Sequence, residues 1–177
     1  MNMEPVRFGV IGCGLMGREF ASVSMRWLHL ACELPRPVIV AACDLSPKNL
    51  DWFRQVPDTK YFYSDYHELL ANPEVEAVYC AVPHHLHAQV YGDVIRAGKH
   101  LIGEKPFGMD LAACEEVEAA MAGRPEVFVR CASEFPFYPA VQQMVKWYRE
   151  GAFGQIIEAR FAIKHSCLLY TSDAADE

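Results

Sequence analysis

Four short stretches hold the residues best suited to chemistry. In the first, Gly12-Cys13-Gly14-Leu15-Met16-Gly17, glycines fall in the order G-x-G-x-x-G. An apolar run, Val6 to Ile11, precedes it and helix-compatible sequence follows. In a dinucleotide-binding turn, Gly12 would let the chain leave the strand sharply. Gly14, without a Cβ, would let a pyrophosphate approach the backbone, and Gly17 would let the helix pack close to the strand. The helix N-terminus offers free N–H groups and a partial positive charge to phosphates. Gly12, Cys13, Gly14, Leu15, Met16 and Gly17 are therefore candidate cofactor contacts. The pattern also suits an ordinary tight strand-to-helix turn, and some methyltransferases carry a similar loop.

The second stretch is Asp44, which closes the apolar run Val38 to Cys43. An acidic residue at such a strand end can accept hydrogen bonds from the ribose 2′- and 3′-hydroxyls. It lies 27 residues after Gly17, an interval that a long first helix would fill. A turn or cap role before Ser46-Pro47 is the plainer alternative. Asp44 would repel a 2′-phosphate, Leu45 adds no positive charge, and Lys48 is the one close cation in sequence, so NAD(H) is expected over NADP(H).

The third and fourth stretches are Ala81-Val82-Pro83-His84-His85-Leu86-His87 and Gly98 to Phe107, which contains Glu104-Lys105-Pro106. Both stand at predicted strand ends, and in an open parallel sheet ligands sit at the carboxyl ends of strands. Lys105 would then lie beside the nucleotide, placed to polarise or protonate a substrate oxygen. Taken alone, it is as readily a solvated lysine before a proline. His84, His85 and His87 crowd three donors together, but no other stretch supplies a fourth ligand at matching spacing. No metal site is expected.

These residues need a parallel sheet to bring them together, and the chain reads that way. Strands are expected at Arg7–Ile11, Val38–Cys43, Tyr61–Tyr63, Val75–Val82, His100–Gly103 and Val127–Cys131. Helices are expected from Gly17 to about Cys32, with Phe20, Val23, Met25, Trp27, Leu28 and Leu30 available for packing. Further helices are expected over Pro47–Gln55, from a capping box at Asp65 and Glu68, and from about His85 to Ala97. Another runs from Asp110 to Ala122, with Leu111, Cys114, Val117 and Met121 on one face. Strands alternating with helices imply a doubly wound α/β sheet. Pro139 to Arg149 is amphipathic, with Pro139 suited to its first turn and Gly151 to its end. Ile156 to Ile163 alternates like the first strand of a different, antiparallel sheet, which puts a boundary near residue 130.

Composition narrows the classes. Of 177 residues, 52% are apolar and 22% charged, as in a globular protein with a real core. The net charge of −7 argues against nucleic acid or an anionic membrane as a main partner. No stretch reads as a signal peptide or a membrane span, so a cytoplasmic location is expected. The seven cysteines are odd in number and form no C-x-x-C, which suits small core residues in a reducing compartment.

Together, the glycine loop, Asp44, Ala81-Val82-Pro83-His84-His85-Leu86-His87 and Ala97 to Phe107 with its Glu-Lys-Pro core resemble the Gfo/Idh/MocA family of nicotinamide-dependent sugar and polyol oxidoreductases. The resemblance covers residues 6 to about 165, and the Glu-Lys-Pro segment is far more specific than the glycine loop. It implies a Rossmann-type domain over residues 1–130, then the start of an α+β substrate-and-oligomerisation domain over 131–166. It implies NAD as cofactor, a sugar, polyol or related secondary alcohol as substrate, and a homo-oligomeric parent. Lys105 matches the family lysine near nicotinamide and substrate. Glu104 would line the same pocket, with Pro83 and His87 near the cofactor. His84 stands where asparagine is common. In Phe135-Pro136-Phe137-Tyr138-Pro139, Pro136 stands where arginine is common. The family's base usually comes from an Asp-x-x-x-His pattern, which this sequence lacks.

The chain is therefore expected to be an N-terminal fragment that binds a dinucleotide weakly without turnover. Cys167 to Glu177 is expected to be a non-native tail. The rival readings are a non-catalytic dinucleotide sensor of the same fold and a methyltransferase. The Glu-Lys-Pro segment argues against the second.

Overall fold

The structure, a computed structural model, describes residues 3–27 and 34–160. Residues group into two compact units, Met1–Ala132 and Ser133–Glu177.

The first unit is a six-stranded parallel sheet. Its strands are β1 (Val6–Ile11), β2 (Pro37–Cys43), β3 (Tyr61–Tyr63), β4 (Ala77–Cys80), β5 (His100–Gly103) and β6 (Val129–Cys131), in the order β3-β2-β1-β4-β5-β6. Helices α1 (Leu15–Ser24), α2 (Pro47–Phe53), α3 (Tyr66–Ala71), α4 (His87–Arg96) and α5 (Leu111–Ala122) alternate with the strands. Strand side chains point alternately to opposite faces, and two cores result. Ile11, Val78 and Leu101 join Leu69, Val94 and Val117 from α3, α4 and α5. Val10, Ile39 and Tyr79 join Ala21 and Phe53 from α1 and α2. Val10, Val78, Ile95 and Leu101 are wholly buried, and each such aliphatic side chain contributes about 1.5–3 kcal/mol.

The register aligns the strand ends. Ile11 pairs with Cys43 on one side and Cys80 on the other, and Cys80 pairs with Gly103. Every loop that carries a candidate residue therefore leaves the sheet at one level. The order of connection reverses between β1 and β4, where such sheets open a crevice.

Several local expectations need correction. No long first helix fills the interval to Asp44, because α1 ends at Ser24, whose hydroxyl donates back to Ala21 O at 2.8 Å. Val23, Met25 and Trp27 are exposed rather than packed; Leu28, Leu30 and Cys32 lie outside the described residues. The Asp65 cap accepts from the amide of His67, two residues on, so the reciprocal box with Glu68 is not closed. The expected helix at His85 begins as a 3-10 turn, His84–Leu86, and becomes α-helical at His87. On α5 the buried residues are Val117 and Ala120, while Leu111 is 74% exposed. That helix packs on α4, and its buried residues lie six and nine positions beyond Leu111.

In the second unit, a 3-10 turn at Phe135–Phe137 precedes α6 (Pro139–Arg149), whose bounds match the sequence reading. Met144, Val145 and Tyr148 on its apolar stripe are exposed. Residues 156–160 form no strand, and Phe161 to Ile163 and the tail Cys167–Glu177 lie outside the described residues. Among the described residues, no helix is long and apolar enough to cross a membrane.

Candidate active site: the loops at the carboxyl ends of β1, β2, β4 and β5

The glycine loop leaves β1 under tight constraint. Gly12 has φ +90°, and a Cβ there would lie 2.4 Å from Ala81 O. A Cβ on Gly17 would lie 2.2 Å from Gly12 O, so α1 packs directly on the turn. Gly14 differs: a Cβ there would meet nothing within 4 Å. It is the N-cap of α1 without a side-chain cap, so amides at that end of the helix keep donors for an anion. Open space over a helix N-terminus, between two glycines that only glycine can satisfy, fits a pyrophosphate. Leu15 and Met16 are exposed on the first turn. Cys13 is wholly buried, and its Sγ donates to Cys43 O at 3.5 Å. Burial, then the Asp44 charge, pushes its thiol far up, so the side chain is a protonated packing group.

Asp44 holds this loop from β2. Its Oδ2 accepts from Cys13 N at 2.7 Å and from the Asn49 amide at 3.3 Å, and its Oδ1 accepts from Ser46 N at 2.7 Å. Asp44 thus fills the turn role, and its Oδ1 retains lone-pair capacity for a further donor such as a hydroxyl. The sequence reading missed Arg18 here. Its Nη2 donates to Asn49 Oδ1 at 3.0 Å, and its guanidinium lies 5.3 Å from the Trp52 ring.

The Glu104-Lys105-Pro106 turn leaves β5 through a cis Lys105-Pro106 bond. Glu104 is 7% exposed and turns inward. Tyr79 OH donates to its Oε1 at 2.6 Å, and Lys105 N donates to Oε2 at 3.1 Å. Burial first, and then this hydrogen bond, holds the Tyr79 hydroxyl protonated far above its ordinary range. Tyr79 in turn stacks on Phe20 of α1, with ring centroids 4.2 Å apart. Glu104 therefore ties β5 to β4 and α1, while Lys105 is left exposed at the mouth.

Two side chains of α4 brace the same turn from behind. His87 is wholly buried, with Nδ1 2.7 Å from Pro106 O and Nε2 2.9 Å from Val82 O. Tyr91, one helical turn on, stacks on His87 at 4.7 Å and donates to Glu104 O at 2.7 Å. His87 thus clamps the Val82-Pro83 strand end to the Lys105-Pro106 turn. Pro83, His84 and His85 are exposed beside it. The i, i+4 spacing of His87 and Tyr91 was a legible sign that they share a helix face. Among the described residues, no group of three His, Cys, Asp or Glu side chains is placed to hold a metal.

A parallel sheet with a glycine-rich turn at its switch point, an acidic residue on the next strand end and a lysine two strands away defines a nucleotide-binding α/β domain of oxidoreductase type. Comparison with known proteins gives the family. Residues 6–130 match the model described as "Oxidoreductase family, NAD-binding Rossmann fold", and the chain belongs to this Gfo/Idh/MocA family. It is 31% identical over 159 residues to the human trans-1,2-dihydrobenzene-1,2-diol dehydrogenase, covering 88% of this chain and 45% of that protein. It is 42% identical over 100 residues to an uncharacterised oxidoreductase of Synechocystis, covering 56% of this chain and 26% of that protein. The chain thus spans less than half the length of these curated relatives. Among solved structures, a levoglucosan dehydrogenase in complex with NADH and L-sorbose superposes with a TM-score of 0.77 at 25% identity, over 86% of this chain and 41% of that one. The apo scyllo-inositol dehydrogenase of Lactobacillus casei superposes with a TM-score of 0.74 at 22% identity, over 87% of this chain and 44% of that one.

Proposed function

We propose that this chain is the cofactor-binding part of a nicotinamide-dependent dehydrogenase acting on a sugar, polyol or related secondary alcohol. The observation that carries the reading is the convergence at one sheet edge of the open Gly14 backbone, the Asp44 carboxylate and the exposed Lys105. When bound, the dinucleotide supplies a hydride acceptor or donor at its nicotinamide ring. The amides around Gly14 bind the pyrophosphate, and Asp44 Oδ1 accepts from the ribose, which favours NAD(H). Lys105, the one catalytic residue we assign, holds or delivers a proton at the substrate oxygen. Glu104, His87 and Tyr91 fix the turn that aims it.

Three of the named relatives and structural neighbours act, by their names, on a diol, levoglucosan and scyllo-inositol, which supports an alcohol carbon as the reacting centre. We further propose residues 1–130 as the dinucleotide domain and 131–166 as the start of a substrate and oligomerisation domain. Turnover and oligomerisation then belong to a longer parent. The free cysteines among the described residues suit a reducing compartment, and we place the protein in the cytoplasm.

The test is titration of the 177-residue chain with NADH and, in parallel, with S-adenosylmethionine, followed by tryptophan emission. Saturable NADH binding without a response to S-adenosylmethionine is expected. The reverse result would replace the dehydrogenase reading with the methyltransferase one.

A further inference from the structure

His87 meets an acceptor with each of its ring nitrogens, and a neutral imidazole has one N–H to give. The residue opens α4 and is wholly buried. Its Nδ1 lies 2.7 Å from Pro106 O and its Nε2 lies 2.9 Å from Val82 O. Both are hydrogen-bond distances. A carbonyl oxygen has no proton to donate, so each contact needs a proton on the nitrogen. In either neutral tautomer, one nitrogen turns its lone pair on a carbonyl oxygen. The imidazolium, with a proton on each nitrogen, satisfies both contacts.

The groups around the ring come from several elements. Tyr91 of α4 stacks on it at 4.7 Å, and His84 of the preceding 3-10 turn stands edge-on at 5.3 Å. The β5 turn brings Glu104 and Lys105, β4 brings Tyr79 and Cys80, and β6 brings Cys131. Burial holds the Tyr79 and Tyr91 hydroxyls protonated far above their ordinary range. It also pushes the Cys80 thiol up to about 12 and the Cys131 thiol up. These groups keep their protons through about pH 5–8, the range in which histidine changes charge. Glu104 is committed through both carboxylate oxygens, to Tyr79 OH and Lys105 N, while Lys105 and His84 are exposed. Burial and the place of His87 at the N-terminus of α4 weigh against a positive charge. The two carbonyls are therefore what hold the second proton.

We propose that His87 is an imidazolium clamp between the end of β4 and the Lys105-Pro106 turn, and that loss of its second proton as pH rises releases one side. His87 is then a positioning residue that makes the placement of Lys105 depend on pH. In acid the clamp is complete. As pH rises it keeps one hydrogen bond and gains one repulsive contact, so its stabilisation falls. The consequence for chemistry rests on Lys105 as the proton carrier. The clamp itself does not, and its test reads the ring directly.

The experiment is nitrogen NMR of the isotope-labelled 177-residue chain from about pH 5.5 to about pH 8.5. The seven histidine rings are assigned by single substitution, with His87→Gln for this one. If that variant does not fold, substituting the other histidines assigns the ring by elimination. Both His87 nitrogens should carry protons at about pH 5.5, and one of them should not at about pH 8.5. The Lys105 amide, which donates to Glu104, reports the turn. Its protection from hydrogen exchange, corrected for the intrinsic rate, should fall about 2–10-fold with the same midpoint, the range of one lost hydrogen bond. A ring nitrogen already bare at about pH 5.5, or both still protonated at about pH 8.5, overturns the proposal. So does a transition of the ring that leaves the Lys105 amide protection unchanged. NADH titration of the same sample keeps the two readings apart. A ring that titrates as stated in a chain that binds no NADH would remove the dinucleotide reading and leave the clamp.

Discussion

Replacing Gly14 with alanine separates the loop's architecture from its contact with cofactor. Gly14 has φ −70° and ψ −153°, and an added Cβ would meet no heavy atom within 4 Å. The folding cost is then the exchange of glycine for alanine at a helix N-cap, about 1 kcal/mol or less. At Gly12 the same methyl lies 2.4 Å from Ala81 O and 2.6 Å from Ala81 C, on a residue with φ +90°. The left-handed backbone costs about 1–2 kcal/mol and the forced shift about 1–3 kcal/mol. A domain of this size loses about 2–4 °C of Tm per kcal/mol. Gly14→Ala should therefore melt within about 4 °C of wild type, and Gly12→Ala about 4–20 °C lower. The cofactor sees the opposite ranking. A methyl over the helix N-terminus occupies the space a pyrophosphate oxygen needs, so NADH affinity of Gly14→Ala should fall about tenfold or more. Thermal melts and NADH titrations on the same samples give both numbers. A Gly14→Ala protein that binds NADH like wild type would show that the pyrophosphate lies elsewhere. One that melts as low as Gly12→Ala would show that the space over Gly14 is not open.

Asp44→Ala removes the acceptor of two backbone amides and the Asn49 side chain. It should destabilise the fold by about 1–3 kcal/mol in urea unfolding and weaken NADH and NADPH together; a pure exchange of preference at constant stability would leave it only the ribose role. Lys105→Ala should lower kcat of the full-length parent by about 10²-fold or more with NADH affinity nearly unchanged, and an unaltered kcat would reduce Lys105 to a binding contact. Burial pushes the Cys43 and Cys80 thiols up to about 12 from their ordinary 9.0. The folded state keeps these protons where the unfolded chain releases them, so their stabilisation is complete below pH 9.0 and is lost between there and pH 12. Each contributes a slope of about 1.4 kcal/mol per pH unit. Urea midpoints should fall from about pH 9 upward, and a flat profile to pH 11 would show these thiols to be solvated.

Local signals settled much of this protein in advance. The bounds of β5 and α6 could be read directly, because Gly98 and Gly151, both at φ +73°, and Pro139 act on their own neighbours. The alternation of apolar runs with amphipathic stretches dictated a parallel sheet, and the glycine spacing located the turn that a pyrophosphate would need. Side-chain partnership was a different matter. Asp44 to Cys13, Arg18 to Asn49, Glu104 to Tyr79 and His87 to Pro106 join residues 31, 31, 25 and 19 positions apart. Periodicity says which face a residue occupies but not which strand will lie beside it. That depends on the order β3-β2-β1-β4-β5-β6 and on a register that ends β1, β2, β4 and β5 level. Only once those ends meet do the same residue types divide into two kinds. Glu104 and His87 become buried braces, and Lys105, the next residue after the acid, is left exposed.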